Sequence, residues 1–482
     1  MTIAMDSASI QFVGFGLAAA ILSNLSRSRA WRSAVLMLVN LVFLGLLAHN
    51  PIVFLPLAGF LLLGYGALAL LQRGWSKSLV WSILAVLFVY IWLKKYTFLP
   101  QGIFIHSPYF TLGLSYILFR VLHLLIETSD KQEKYRIGPG AYLLYTLNFT
   151  TFVSGPIQRY GEFARDQFDP EPIELGIRTV GRQLERMVRG FFKVNVLAML
   201  LDMMRVDALA QLSQPLPLPL KLYAAFKMAV LYPFFLYANF SGYTDIVIAL
   251  ARLMRLRLPE NFDRPFSASS FLDFWNRWHI TLSVWLKTYV YNPLLLALMR
   301  RIPSPELQPF LGAFCFFVTF FLVGLWHGRT SEFLIFGVLQ GGGVSINKLW
   351  QIALSRILGR KGYRALAQNA VYISFGRGLT FTWFAFTQFW FWASWKQIDH
   401  AFSELGVIQW LGVSLTIWFS ATAALALWEW LRAALLSIRT TEEPLLASRY
   451  ALVVYASALG LFALVITVLL NQPAPDIVYK AF

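Results

Sequence analysis

Two histidines of the chain, His279 and His327, lie in apolar, tryptophan-flanked surroundings where an unused polar group is costly. A neutral imidazole has a pKa of about 6.5, so it can take a proton from an alcohol while that alcohol attacks an acyl carbon. A second polar group can orient the acyl donor or stabilise the developing oxyanion. We therefore regard His327 as a candidate base and His279 as a candidate supporting group for acyl transfer.

His327 ends the apolar run FLVGLWH (residues 321–327) and lies between Gly324 and Gly328. Gly324 lies one helical turn back on the face of the histidine, so another backbone or a substrate has room to approach. The alternative is a histidine satisfied by a backbone carbonyl at a helix end. The local sequence alone does not separate these two roles.

Metal ligation is a competing use of the histidines. Neither His279 nor His327 has a partner at metal-ligand spacing, and no cysteines or clustered carboxylates complete a site. We expect no metal and no tightly bound cofactor. The only cysteine, Cys315, lies in an apolar run, where a buried small hydrophobe is favoured over a thioester nucleophile.

The other four histidines fit structural or surface positions better. His123 shares one helix face with Arg120 and Glu127, and charged groups inside a bilayer persist when they are paired or functional. A structural pair is favoured there over a functional site. The remaining three occur in predicted loops or at the ends of apolar runs, and we expect them at the solvated surface: His49, His106 and His400.

The composition indicates a membrane protein. Of the 482 residues, 58% are hydrophobic and 13% charged, against roughly 25% charged residues in soluble domains. Apolar stretches long enough to cross a bilayer recur along the whole chain, among them the runs Pro309 to Trp326 and Phe333 to Leu354. We predict an all-α polytopic membrane protein with about eleven to thirteen transmembrane helices, folded as a single membrane domain over residues 1–482.

The formal net charge of +17 would suggest nucleic acid as the partner of a soluble chain. Here the basic residues gather in short polar breaks separated by pairs of crossings, which the positive-inside rule places in the cytoplasm. We therefore expect the lipid bilayer, and no nucleic acid, as the partner of this charge. The breaks are Arg27 with Arg29 and Arg32, Arg73 with Lys77, and Lys131 with Lys134 and Arg136.

Two longer polar interruptions, residues 155–189 and 255–279, are where function should concentrate. The first contains a turn and then the spacing of an amphipathic helix at the membrane surface. In the second, prolines argue against helix before Ser267. From Ser270 we predict a re-entrant or cytoplasm-edge helix on which Asn276, His279 and Ser283 share one face.

Five short motifs stand out between about residues 150 and 345. They are GPI (155–157), FSGYTD (240–245), PENF (259–262), FWNRWHITLS (274–283) and GLWHG (324–328). In these motifs, their order and their spacing, the sequence resembles the bacterial branch of the membrane-bound O-acyltransferase family, which includes alginate O-acetyltransferases and teichoic-acid D-alanyl transferases.

The resemblance implies that His327 is the essential general base and His279 the second active-site histidine. It implies a ring of transmembrane helices, with re-entrant or interfacial helices, around a central tunnel in the bacterial cytoplasmic (inner) membrane. The co-substrate would be an acyl thioester, either acyl-CoA or an acyl group on an acyl carrier protein. It would bring the acyl group from the cytoplasm, for transfer to a hydroxyl on the outer side. An outer-side acyltransferase or polymer is a further expected partner. The expected substrate-binding residues are Trp326, Trp278, Asn276, Arg277, Ser283 and Tyr243.

The sequence departs from the family at three places. Leu286-Lys287-Thr288 stands where members carry Leu-Arg-Asp, residues 294–301 replace a Gly-Gly-Asn-Arg segment, and Gln340 stands where many members have a histidine. These departures leave the predicted O-acyltransferase activity in place, but they do not allow assignment to either named branch. We expect the enzyme to transfer a short acyl group, with acetyl favoured over D-alanyl, to hydroxyls of a cell-surface or secreted polymer.

The alternative is a transporter or flippase of a polymer or lipid-linked sugar, which the crossings and buried charges alone permit. Transporters usually show paired, interrupted repeats. No such repeat is visible in this sequence, and we favour the enzyme.

Overall fold

The computed structural model describes residues 9–48, 50–104, 109–129, 136–437, 449–470 and 475. These residues form helices and contain no strand; one isolated antiparallel bridge joins Phe262 and Trp278. The predicted all-α class is confirmed. The predictions for His49, His106, Lys131 and Lys134 fall outside the described residues.

The first half of the described chain forms eleven α-helices. They are α1 (Ile10–Asn24), α2 (Arg29–Leu47), α3 (Leu55–Gln72), α4 (Leu79–Lys94), α5 (Leu114–Ser129), α6 (Pro139–Thr146), α7 (Phe149–Phe152), α8 (Tyr160–Phe168), α9 (Ile177–Phe192), α10 (Met199–Leu212) and α11 (Leu218–Leu253). A π-helical turn, Lys193–Ala198, joins α9 to α10.

Eleven more α-helices follow. They are α12 (Phe271–Trp275), α13 (Ile280–Leu286), α14 (Asn292–Arg301), α15 (Gln308–His327), α16 (Glu332–Ile357), α17 (Gly359–Gln368), α18 (Ala370–Thr387), α19 (Phe389–Trp392), α20 (Trp395–Glu404), α21 (Val407–Ser437) and α22 (Arg449–Leu470). A π-helical turn, Lys287–Tyr291, joins α13 to α14. Short 3₁₀ turns occur at Pro51–Phe54, Ser76–Ser78, Gln101–Ile103 and Pro265–Ser267.

Six helical segments of the described chain are long and apolar enough to cross a membrane. A helix suits this task because it satisfies its backbone hydrogen bonds within itself. These segments make the chain a multi-pass membrane protein; the count of eleven to thirteen crossings and the ring around a tunnel stay predictions. The segments are Arg29–Leu47, Pro51–Gln72, Ser76–Lys94, Leu218–Leu253, Gln308–His327 and Val407–Ala434.

The chain packs as two units, each with its own core. The first comprises the described parts of Met1–Val196, Asn239–Glu260 and Ala456–Phe482; the second comprises those of Leu197–Ala238 and Asn261–Tyr455. Both candidate catalytic histidines lie in the second unit. The prediction of one membrane domain over the whole chain stays a prediction.

Buried charge in the first unit stabilises its loops. The Arg120 guanidinium donates to the carbonyl oxygens of Tyr145, Thr146 and Thr151, at 2.6 Å for Thr146. His123 Nε2 accepts the backbone N–H of Tyr160 at 2.9 Å, and its Nδ1 lies 3.3 Å from Glu127. These contacts favour the structural role that we expected for the group.

The core of the second unit forms around α18, α20, α21 and the first part of α11. Phe381 and Phe389 pack there with Trp410 and Ile417, each at most 6% exposed. Next to this core, α15 and α16 form an antiparallel hairpin whose turn directly follows His327. The hairpin and the end of α18 position the candidate site.

Candidate functional site

The helix that we predicted from Ser270 to Ser283 is broken at His279. Helix α12 ends at Trp275, α13 begins at Ile280, and His279 has a left-handed backbone with φ of +45°. The break follows from pairing with an earlier segment: the Ile280 N–H donates to Asn261 O at 3.0 Å and the Asp263 N–H to Arg277 O at 2.9 Å. The predicted common helix face for Asn276, His279 and Ser283 is therefore wrong.

The Asn261 side chain determines which nitrogen of His279 carries the proton. Asn261 Oδ1 accepts the backbone N–H of Thr281 at 3.2 Å and the Thr281 hydroxyl at 2.9 Å. A backbone N–H can only donate, so this Asn261 atom is the oxygen. His279 Nδ1 lies 3.2 Å from the same oxygen and must donate to it. Nε2 is then the unprotonated nitrogen of a neutral ring.

Burial keeps His279 neutral. The residue has no exposed surface. Burial lowers the pKa of His279 to about 3, because the charged imidazolium loses its hydration. At neutral pH, Nε2 can therefore accept a hydrogen bond from a hydroxyl.

His327 is the last residue of α15 and is 1% exposed. Its ring packs against Trp326, Phe391 and Phe336, at centroid distances of 4.6, 5.1 and 5.8 Å. Trp326 also contacts the His279 ring at 6.4 Å. The structure therefore brings the two histidines and Trp326 together in one apolar site within the second unit.

Glycines at the end of α15 allow the hairpin to close. A Cβ on Gly324 would collide with the backbone of Gly337 and would lie 2.5 Å from the carbonyl oxygen of Phe333. A Cβ on Gly328 would collide with the Phe333 ring. Helix α16 occupies the space that the two glycines predict near His327, with its backbone next to Gly324 and the Phe333 ring next to Gly328.

The other predicted substrate-binding residues occupy different surroundings. Trp278 is 1% exposed and packs against Phe262 and Phe384, each at 5.1 Å. Arg277 is partly exposed and binds Asp273 at 3.0 Å. Asn276 is exposed and Ser283 half-buried. Their contacts with substrate stay predictions.

Tyr243 lies in the first unit, where it is fully buried. Its motif, residues 240–245, anchors α9: Asp245 binds Arg186 at 2.8 Å and Lys193 at 2.7 Å. A Cβ on Gly190 would lie 2.6 Å from the carbonyl oxygen of Gly242, so α9 and α11 touch through their backbones. The predicted amphipathic helix is thus present, and its location at a membrane surface stays a prediction.

Sequence reasoning missed two features of the site. One is the role of Asn261, although it belongs to the PENF motif. The other is a buried polar cluster, in which Gln340 Nε2 donates to Thr387 Oγ1 at 2.8 Å and Gln388 is the residue after Thr387 in the chain. Each of the three is at most 1% exposed. Gln388 had a signal in the sequence, because it interrupts an aromatic run, residues 381–392.

Metal-binding residues do not cluster in the described chain: it contains no group of three or more His, Cys, Asp or Glu that could hold an ion. Cys315 is fully buried, and its neighbours along α15 are Phe314 and Phe316. The absence of a resident metal or cofactor stays a prediction.

Comparison with known proteins shows that residues 43–376 match one family, the membrane-bound O-acyltransferase family. A teichoic acid D-alanyltransferase of Streptococcus thermophilus is 30% identical over 279 residues, 56% of this chain and 65% of that protein. A peptidoglycan O-acetyltransferase of Helicobacter pylori is 30% identical over 212 residues, 44% of this chain and 38% of that protein. A Pseudomonas fluorescens protein named "Probable alginate O-acetylase" is 28% identical over 243 residues, 49% of this chain and 44% of that protein. The matched stretches span less than two thirds of each relative's length.

Proposed function

The chain belongs to the membrane-bound O-acyltransferase family, and we propose that it moves a short acyl group from a cytoplasmic thioester to hydroxyls of a cell-surface or secreted polymer. The observation that carries this proposal is the pair of buried histidines, His279 and His327, whose rings both pack against Trp326. Imidazoles placed together in an apolar site are suited to proton transfer.

His327 acts as the general base in this proposal. Its imidazole takes the proton of the acceptor hydroxyl while the hydroxyl oxygen forms a bond to the acyl carbon. The carbon–sulfur bond of the thioester then breaks, and the proton leaves with the thiol. The aromatic rings around His327 exclude water, which limits hydrolysis of the thioester and strengthens electrostatic interactions in the site.

His279 positions the acceptor in this proposal. With Nδ1 donating to Asn261, its Nε2 can accept a hydrogen bond but cannot donate one to an oxyanion. This tautomer supports orientation of the acceptor, rather than oxyanion stabilisation, as the role of His279. The attacking hydroxyl has one hydrogen, which His327 takes, so His279 Nε2 would accept from a second hydroxyl of the acceptor and hold the attacking oxygen in a fixed direction.

The donor and the partners follow the family resemblance. An acyl-CoA or an acyl carrier protein would present the thioester, and an outer-side transferase or the polymer itself would receive the acyl group. The bacterial cytoplasmic membrane separates these two sides. The sequence favours acetyl over D-alanyl, and the names of the relatives include both. The two groups differ in chemistry, because acetyl has no hydrogen-bond donor and D-alanyl has an amino group.

The test is mass analysis of surface polymers from cells that produce the wild-type protein, the His327→Ala variant or no protein. We expect His327→Ala to abolish acylation while the amount of protein in the membrane stays the same. His400→Ala is the matched control, because His400 is an exposed residue of α20. Full acylation by His327→Ala would refute the assignment of the base.

A further inference from the structure

The polar cluster of Gln340, Thr387 and Gln388 contains amide atoms that the described protein leaves unsatisfied. Neither Gln388 Oε1 nor Gln388 Nε2 has a hydrogen-bond partner among the described residues, and the same holds for Gln340 Oε1. All three atoms are buried. An unsatisfied buried amide costs free energy, so such groups call for an explanation.

The cluster lies about one helical turn from the rings around His327. Gln340 follows Phe336 by four residues on α16, so the two share one helix face. Gln388 precedes Phe391, whose backbone N–H donates to Gln388 O at 2.9 Å. Phe336 and Phe391 both pack against the His327 ring. Both glutamines therefore lie within about one helical turn of residues that pack on the candidate base.

The same end of α18 also contacts the His279 segment. Thr387 Oγ1 donates to the carbonyl oxygen of Phe384 at 2.9 Å. The Phe384 ring packs against Phe274 at 4.5 Å and against Trp278, the residue before His279, at 5.1 Å. Along the chain, Gln388 thus lies between Phe384, which packs against the residue before His279, and Phe391, which packs against the His327 ring.

We propose that Gln388, together with Gln340, binds the transferred acyl group and selects one that carries an amino or hydroxyl group next to its carbonyl. This inference rests on the proposed function and deepens it. Gln340 Nε2 is engaged by Thr387, so the cluster offers two amide oxygens as acceptors and one amide nitrogen as donor. An α-amino or α-hydroxy acyl group supplies the donor that the oxygens need, and its carbonyl can accept from Gln388 Nε2.

Acetyl, the group that the sequence favours, matches this cluster poorly. Its one polar atom is a carbonyl oxygen, so both amide oxygens would remain unsatisfied when it is bound. A site that hydrogen-bonds a substrate group discriminates strongly against an analogue that lacks the group, because its own polar atoms are left unpaired. The cluster therefore favours an aminoacyl or hydroxyacyl group over acetyl.

The test uses membranes from producing cells, with the polymer that they contain as acceptor. Four radiolabelled pantetheine thioesters are supplied separately: acetyl, propionyl, 2-hydroxypropionyl and D-alanyl. Propionyl, 2-hydroxypropionyl and D-alanyl differ only in the substituent next to the carbonyl. We expect the wild-type protein to transfer the two polar groups about tenfold or more faster than propionyl.

Gln388→Leu should remove this preference, because leucine has a similar size and no hydrogen-bonding atoms. We expect it to lower transfer of D-alanyl and 2-hydroxypropionyl about tenfold more than transfer of propionyl. Gln340→Met is a second variant with the same expected direction. Gln167→Leu is the control: Gln167 is a buried glutamine of the first unit whose Nε2 donates to Ser33 at 3.3 Å, and its replacement should not change the ratios.

The outcomes separate the two proposals. Equal loss of all four acyl groups in Gln388→Leu, or a wild-type protein that transfers propionyl as fast as D-alanyl, overturns the acyl-binding role. In that case transfer still depends on His327, and His327→Ala membranes transfer nothing. If wild-type and His327→Ala membranes transfer the same amount, the proposed function fails, and the acyl-binding role fails with it.

Discussion

His279→Gln should make the folded protein less sensitive to acid. An unfolded histidine binds a proton below about pH 6.5. Burial lowers the pKa of His279 in the folded chain to about 3. Between these values the unfolded chain binds more protons than the folded chain, so a fall in pH favours unfolding. The stability contributed by neutral His279 is complete above about pH 6.5 and is lost as the pH falls toward 3.

The two pKa values give the size of the effect. One extra proton on the unfolded chain changes the free energy of unfolding by about 1.4 kcal/mol per pH unit. Over the whole interval of about 3.5 pH units, the free energy of unfolding therefore falls by about 5 kcal/mol. Over the part from pH 6.5 to pH 4.5, it falls by about 3 kcal/mol. Glutamine does not titrate, so His279→Gln should lose about 3 kcal/mol less than wild type over that step.

The measurement is denaturant unfolding of the detergent-solubilised protein at pH 7.5 and pH 4.5, with the loss of stability compared between variants. His400→Gln is the control, because His400 lies at the exposed surface of α20 and bonds to Ser213 there. An equal acid-induced loss in wild type and His279→Gln would refute a neutral, buried His279. It would also remove the basis for the tautomer that Asn261 determines.

Two further predictions concern the groups that position the histidines. Gly324→Ala should destabilise the protein by about 1–3 kcal/mol, because its Cβ collides with the backbone of Gly337. Gly342→Ala on α16 is the control, because a Cβ there meets nothing within 4 Å and should not destabilise the protein. Thermal unfolding compares the two variants, and equal melting temperatures would contradict the close packing of Gly324 against Gly337. Asn261→Asp should raise the pKa of His279 by about 1–3 units, because a carboxylate beside Nδ1 stabilises the imidazolium. The pH–rate profile of acylation should then lose its activity at a higher pH on the acid side, and an unchanged profile would contradict the Asn261–His279 contact.

The membrane helices were the most predictable part of the fold. The apolar run predicted from Pro309 to Trp326 is found as α15, Gln308–His327, and the run from Phe333 to Leu354 as α16, Glu332–Ile357. Apolar length predicts these helices because a bilayer leaves the backbone few other conformations. The break at His279 was not predictable in this way. Residues 270–283 have good helical spacing, and the interruption comes from hydrogen bonds to Asn261 and Asp263 in a separate segment.

Local motifs also located the two histidines and suggested His327 as the base, but they did not predict which nitrogen of His279 carries the proton. Asn261 is a plain polar residue of the PENF motif in the sequence, and its effect depends on a carboxamide oxygen that contacts His279 across 18 positions of the chain. That single acceptor decides which nitrogen of His279 can meet a hydroxyl. The chemical role of a histidine thus depends on a partner that motif matching does not identify.

Gln340 and Gln388 are a second example of residues whose role depends on contacts that the sequence does not reveal. In the sequence, Gln340 is only a departure from the pattern of the family that the chain resembles, and Gln388 is a polar residue in an aromatic run. The fold places Gln340 against Thr387, the residue before Gln388, and leaves three amide atoms of the two glutamines without partners among the described residues. A glutamine at position 340 is therefore compatible with function. In this protein it accompanies an amide cluster whose donors and acceptors suit a polar acyl group, and the comparison of propionyl with D-alanyl transfer measures that difference directly.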